Sequence, residues 1–258
     1  MAPRRAGIAG ILVLGLWALA ALGLVIYLVN VWNPALFAKY GPAYLDGLVV
    51  TVSLVITSIV SGALVSVPVA FGRMARNRLA RGLSFAFVYF FRGTPLLAQI
   101  FLFYYGFGEF RGFFETIGLW WFFREAWYCA LFSLSLNTAA YQAEILRGAI
   151  ESVPRGQWEG ARALGLPRLV IFWKVILPQA LMVALRPYTN EIILMVKASA
   201  IVAIITVYDL LGETRRAYGR TFDFQTYIWA AVLYLSIVEV LRNITNVVEK
   251  RLTRHQKR

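Results

Sequence analysis

Apolar residues in this chain come in runs too long for ordinary soluble helices, and short polar stretches rich in arginine and lysine separate them. A helix needs about 20 predominantly apolar residues to cross the hydrocarbon core of a bilayer. Six stretches meet that length: about Ile8 to Val31, Leu45 to Phe71, Leu83 to Phe107, Trp127 to Ile150, a run between Ile176 and Val207, and Phe224 to Val248. The pattern predicts an all-α integral membrane protein with about six transmembrane helices. Pro68, Pro95 and Pro187 each interrupt a span. In lipid such breaks persist only where other protein or a water-filled cavity satisfies the freed backbone groups, so a bundle with a polar interior is expected. The first run follows the basic start Met1 to Arg5 and has a signal peptide as its rival reading. Its length and the lack of a small-x-small cleavage site favour a retained helix.

Composition strengthens the membrane reading. Of 258 residues, 60% are hydrophobic and 15% charged, with mean hydropathy +0.65; a soluble domain carries charge on about a quarter of its residues. The net charge of +13 raises nucleic acid as a partner. The basic residues lie between apolar runs rather than on one polar face, which argues against it. Arg73, Arg76, Arg78 and Arg81 form one basic connection, Arg155, Arg162, Arg168 and Lys174 another, and Lys250 to Arg258 a basic tail. With six spans these segments share a side with the N-terminus. The positive-inside rule makes that side cytoplasmic and both termini cytoplasmic. The opposite connections mix signs, Glu109, Arg111, Glu115, Arg124 and Glu125 in one, and Asp209, Glu213, Arg215, Arg216, Arg220 and Asp223 in the other. Cys129 sits among apolar residues and His255 in the basic tail; neither belongs to a ligand set for a metal.

The connection from Pro154 to Pro178 is the most informative polar stretch. Pro154 can open a helix, and Gly165 with Pro167 can close one after about three turns. Trp158, Ala161 or Arg162, and Gly165 are spaced to share a face, while Gly160, Ala161 and Ala163 are small enough for another protein to approach closely. Glu159 could pair across such a contact. A plain surface helix resting on lipid headgroups is the alternative the residues leave open.

Glu159-Gly160-Ala161, three residues, Gly165, nine residues, then Val175-Ile176-Leu177-Pro178 resembles the EAA loop of ABC importer permeases. Gly160 stands where that pattern has Ala, and Val175 where it has Ile; Gly160 lowers helix propensity by up to about 1 kcal/mol. Phe91-Arg92-Gly93-Thr94-Pro95-Leu96 looks like a segment of polar amino acid permeases. Asn137 to Ile145, Gly148 to Gln157 and Tyr188 to Met195 are similar to the stretches flanking the loop there. The resemblance runs from about Tyr44 to the C-terminus. It is nearest to M-type subunits of histidine/lysine/arginine/ornithine and octopine importers.

The resemblance implies a permease domain over residues 44–258 with its EAA loop at 154–178, and an extra segment at 1–43 holding the first span. It implies two ATPase subunits that dock on the loop, with Trp158, Glu159, Gly160, Ala161 and Gly165 as coupling residues. A second permease subunit, by the M-type likeness a different chain, and a periplasmic amino acid-binding protein complete the assembly, with lipid around the spans. The chain has no Gly-x-x-x-x-Gly-Lys-Ser/Thr phosphate loop, so it needs no cofactor of its own and ATP binds the partner subunits. Cationic amino acids or opines are the implied cargo.

Ionisable groups inside spans indicate a pathway or a partner. Glu144, Glu191 and Lys197 are the main ones, with Arg92 and Arg186 beside proline breaks. Asn190, Glu191 and Glu144 are candidate substrate-pathway residues, a structural hydrogen bond between spans being the other reading of Glu191. Glu191 and Lys197 are six residues apart, so each is expected to find its partner on another helix, and Arg92 is expected to steady the break at Gly93-Thr94-Pro95. A self-sufficient carrier or channel would show an inverted repeat or filter loop. A membrane-embedded enzyme would need a compact catalytic set. The sequence displays neither, and no nucleophile–base pair marks an enzyme.

Overall fold

The computed structural model describes residues 8–30 and 32–252. The basic start, Val31 and the end of the basic tail with His255 lie outside the described residues. In chain order the helices are α1 (Ile8–Asn30), α2 (Pro34–Met74), α3 (Arg78–Gly93), and α4 (Leu96–Phe101), which continues as a π-helical turn (Leu102–Gly106). Then come α5 (Arg111–Thr116), α6 (Trp120–Phe123), α7 (Ala126–Glu151), α8 (Arg155–Ala163) and α9 (Arg168–Val170), the last running through a π-helical turn (Ile171–Ile176) into α10 (Leu177–Ser199). A 3₁₀ segment (Ala200–Ile205) extends α10, followed by α11 (Leu210–Thr221) and α12 (Gln225–Leu252). No strand occurs among the described residues.

Asn33 starts α2 by accepting the Leu36 amide at 3.1 Å, and Asn77 starts α3 by accepting the Leu79 amide at 2.8 Å, so each side chain takes up an otherwise unpaired N-terminal donor. By length and apolarity, Gly10–Asn30, Pro34–Met74, Arg168–Ile205 and Gln225–Arg251 can each cross a membrane, with the bent pair Arg78–Gly93 and Leu96–Gly106 as a fifth crossing. The expected fourth span corresponds to α7. Its 26 residues make it about 39 Å long at 1.5 Å per residue, long enough to cross. Its Ser, Asn, Gln, Glu and Arg residues leave it outside the apolar set. It is instead the central helix, with residues from Cys129 to Ile150 buried along it.

α2 and α7 form the main seam. On α2, Ser58, Gly62, Ser66 and Ala70 are buried at every fourth residue, and small residues at that spacing let two backbones approach closely in lipid. The Gly62 backbone lies so near α7 that an added Cβ would come 2.5 Å from the Thr138 methyl carbon. α1, by contrast, has no buried residue in Gly10–Asn30.

The prolines behave differently from one another, which corrects the expectation that each interrupts a span. Pro68 and Pro187 sit inside continuous α2 and α10. Each removes one ladder hydrogen bond, and the neighbouring helices hold the rest of the helix in line. Only Pro95 breaks its helix, and α3 and α4 meet at a bend of 107°. Thr94 is extended there, at φ −110° and ψ 147°, as a residue before proline prefers. The expected third span is therefore an angled helix pair.

Candidate functional site

Two regions carry the candidate residues. The first is α8 at the C-terminal end of α2. Its N-terminal residue follows Pro154 and its end is closed by Gly165 at φ +73°. The Gly165 amide donates to Arg162 O at 2.9 Å and the Leu166 amide to Ala161 O at 3.2 Å, the pairing of a Schellman cap, which needs the left-handed residue glycine supplies. Both ends of this helix are as the residues indicated.

The faces of α8 sort the five coupling candidates into two sets. Ala161 is 7% exposed and belongs to an apolar cluster with Ala70 of α2, Leu146, Ala149 and Ile150 of α7, Ile171, Ile176, and Ala180 and Ala184 of α10. Trp158 is half-buried against the same cluster. Both therefore tie α8 to its own bundle. Glu159, Gly160 and Gly165 are exposed, and among the described residues Glu159 has no ion-pair partner. Beside them Leu164 is 80% and Leu169 74% exposed. Exposed leucines in this connection suit contact with lipid as well as with another protein.

The second region is the polar interior on α7. Thr138 donates to Glu191 Oε1 at 2.9 Å, and Gln142 Nε2 donates to Thr138 Oγ1 at 3.1 Å and to Ile59 O at 3.2 Å. Glu191 is buried at 6% exposure, whereas Asn190 is exposed; the helical turn separates two residues that the sequence places side by side. Glu191 finds its partner on another helix as expected. Lys197 does not: it is exposed, and among the described residues it has no ion pair.

Glu144 faces three arginines. Arg73 Nε lies 2.9 Å and Arg147 Nη2 2.8 Å from its carboxylate, with Arg92 Nη1 at 3.8 Å. Arg147 also pairs with Glu151, and Arg186 pairs with Glu249 of α12 at 2.6 Å. The three-residue spacing of Glu144 and Arg147 is the one local signal of this cluster; Arg73 and Arg92 arrive from distant helices. Arg92 does not steady the proline break, contrary to expectation. Gln99 does, its Nε2 donating to Phe91 O at 2.9 Å and to Thr94 O at 3.1 Å, while Asn137 Nδ2 donates to Phe91 O at 3.0 Å and to Gln99 Oε1 at 3.1 Å. These two amides satisfy the carbonyls that the bend frees. Arg92 is left to lie over the Tyr141 ring at 5.1 Å.

Arg92, Tyr141 and Glu144 are shared by two recesses. One, of about 320 Å³, lies between α2, α3 and α7 with Arg73, Phe85 and Tyr89 in its wall. The other, of about 400 Å³, lies between α7 and α10 and includes Gly148, Ala184 and Pro187. The bundle thus places a guanidinium and an aromatic hydroxyl beside two open spaces, with α7 as the common wall. That arrangement can meet a polar solute, and it holds no acid–base pair set against a nucleophile.

Residues 58–254 match the family model for binding-protein-dependent transport system inner membrane components. The nopaline transport system permease protein NocM of Agrobacterium fabrum is 39% identical over 217 residues, which cover 84% of this chain and 90% of that protein. The histidine/lysine/arginine/ornithine transport system permease protein HisM of Salmonella typhimurium is 41% identical over 210 residues, 81% of this chain and 89% of that protein. A solved structure described as an amino acid ABC transporter with histidines superposes with a TM-score of 0.74 at 30% identity. The match covers 83% of this chain and 96% of that one.

Proposed function

Since the chain belongs to the family of binding-protein-dependent transport system inner membrane components, we propose that it forms one wall of the path by which a cationic amino acid or an opine enters the cell. The chain is a permease subunit of an ABC importer, a transport component and not an enzyme. In this reading α8 faces the cytoplasm with both termini, two ATPase subunits dock on it, and a second, different permease chain supplies the opposite wall. A periplasmic binding protein delivers the cargo, and the bilayer is the inner membrane.

The observation that carries the proposal is the two-sided character of α8. Glu159, Gly160 and Gly165 face outward, and Trp158 and Ala161 are set into the cluster where α2, α7 and α10 meet. A push on α8 is then delivered to the two helices that carry Glu144 and Glu191. Interiors transmit such displacement because they are close-packed and resist compression. Arg92 of α3, which opens on both recesses beside α7, is the group for a cargo carboxylate, and Glu191 of α10, held by Thr138 of α7, the group for a cationic one. Glu144 serves instead as the anchor of its three arginines.

The test is a reconstituted importer carrying Glu159→Lys or Gly165→Val. Gly165 is left-handed, and a side chain there strains the backbone by about 1–2 kcal/mol. Both variants are expected to insert and assemble but to lose cargo-stimulated ATP hydrolysis and uptake. Full stimulated hydrolysis and transport in both would refute the docking role.

A further inference from the structure

Resting on the importer reading, we propose that the exposed face of α11 is the docking surface for an acidic lobe of the binding protein. The position comes first. Leu210 N donates to Thr51 Oγ1 at 3.0 Å, and a Cβ on Gly47 would come 2.9 Å from Asp209 O, so α11 begins against the N-terminal half of α2. The α8 cluster holds Ala70 near the other end of α2. At 1.5 Å per residue the two contacts are about 35 Å apart along that helix, the thickness of a bilayer core. α11 and α8 therefore lie at opposite membrane faces. Ala217 shares an apolar cluster with Tyr40 and Tyr44, which precede the apolar run beginning at Leu45. This end of α11 thus stands at the outward extension of α2.

The charge on that face follows from what the carboxylates do. The segment from Asp209 to Asp223 has as many acidic as basic residues, yet the acids are consumed by structure. Asp209 is fully buried and accepts the Gly212 amide at 2.8 Å. Glu213 is buried at 8% exposure beside Arg216 at 3.4 Å. Asp223 accepts the Gln225 amide at 3.0 Å and its side-chain Nε2 at 3.1 Å. Arg215, Arg216 and Arg220 are exposed, and among the described residues Arg220 has no partner. Three outward arginines on the translocated side run against the charge bias that sets topology. Phe222, 79% exposed, and Phe224, 59% exposed, flank them. Arginine with aromatic residues is the composition of binding hot spots. On the face opposite the ATPase, a family whose members depend on a binding protein has that protein to recognise, and complementary charge requires an acidic surface on it.

The test titrates the binding protein that supports cargo uptake against the assembled importer in nanodiscs, reading stimulated ATP hydrolysis at low and at high salt. Arg220→Glu is expected to raise the half-saturating concentration by about three- to tenfold at low salt, to flatten its salt dependence, and to leave basal hydrolysis unchanged. Arg220→Lys is expected to recover most of the loss. An unchanged half-saturation in Arg220→Glu, with the wild type stimulated normally, overturns the docking surface and leaves the importer standing. A loss confined to binding of phosphatidylglycerol, with stimulation intact, likewise overturns it and assigns the face to lipid headgroups. A wild-type importer that no binding protein stimulates overturns the importer reading, and this surface with it.

Discussion

Gly62→Ala adds one methyl group at the closest point of the α2–α7 seam. The new Cβ would stand 2.5 Å from Thr138 Cγ2, 3.1 Å from Ser135 O and 3.1 Å from Gln142 Nε2. Carbon atoms rest at about 3.5–4.0 Å, so the Thr138 contact must open by about 1 Å. The Ser135 oxygen is backbone and cannot rotate away. Thr138 can turn only by giving up its hydrogen bonds to Glu191 and Gln142. Overpacking of this kind destabilises by about 1–3 kcal/mol, and losing an interhelical hydrogen bond in lipid adds about 0.6 kcal/mol. Alanine's better helix propensity offsets up to about 1 kcal/mol, so net destabilisation is expected. Gly82→Ala on α3 is the reference, because an added Cβ there meets nothing within 4 Å and only the propensity gain remains. Melting of the purified importer in detergent, followed by intrinsic fluorescence, should place Gly62→Ala below wild type and Gly82→Ala at or above it. Uptake should fall in Gly62→Ala alone, since Thr138 holds Glu191. A Gly62→Ala protein that melts with Gly82→Ala refutes the close-approach reasoning.

Two further outcomes follow from buried polar groups. Gln99→Leu leaves Thr94 O without its amide donor, at a cost of about 1–3 kcal/mol, and Phe91 O with Asn137 alone; lowered melting with faster amide exchange around residues 91–99 is the measurement that checks it. Asp209, in the connection after α10, is fully buried, and that burial pushes its carboxyl up to about 6 from an ordinary 3.8. The folded chain therefore holds this proton more tightly than the unfolded one. Its stability is highest with the group protonated and falls as pH rises from about 4 through 6, by on the order of 3 kcal/mol at 1.36 kcal/mol per unit. Asp209→Asn keeps an acceptor for the Gly212 amide and carries no charge, so it should match wild type near pH 4 and exceed it at pH 8. Parallel melting curves at every pH would contradict the assignment.

The elements were legible where one physical signal dominates. Long apolar runs marked α2, α10 and α12, and Pro154 with Gly165 marked both ends of α8, because a missing donor and a left-handed backbone are properties of single residues. What escaped depends on pairs far apart in the chain. Pro95 bends its helix while Pro68 and Pro187 do not, and the difference lies in Gln99 and Asn137 being present to take up the freed carbonyls. Arg73 and Arg92 meet Glu144 only once α2, α3 and α7 are side by side. Trp158 and Ala161 face inward because the turn Ile171–Ile176 and the ends of α2, α7 and α10 form one apolar cluster there. Periodicity gives the spacing of a face but not the direction in which it turns.

The low apolarity of α7 bears on how the chain enters a bilayer at all. Glu144, Arg147 and Glu151 would each disfavour insertion of an isolated segment, by as much as about 2.5–3.5 kcal/mol for a charge at the helix centre, and Asn137 and Gln142 add to that. The apolar stretch in the first half of α7 is interrupted by these polar residues and offsets this only in part. The remaining offsets come from elsewhere: Arg73 for Glu144, the Ile59 carbonyl for Gln142, the broken α3–α4 pair for Asn137. All of these are made before α7 in order of synthesis. α7 therefore partitions into lipid as the last member of a group, with α2 and the angled pair already waiting, and the order of the helices along the chain is also an order of assembly. A truncation that removes α2 should leave α7 untranslocated rather than merely misplaced.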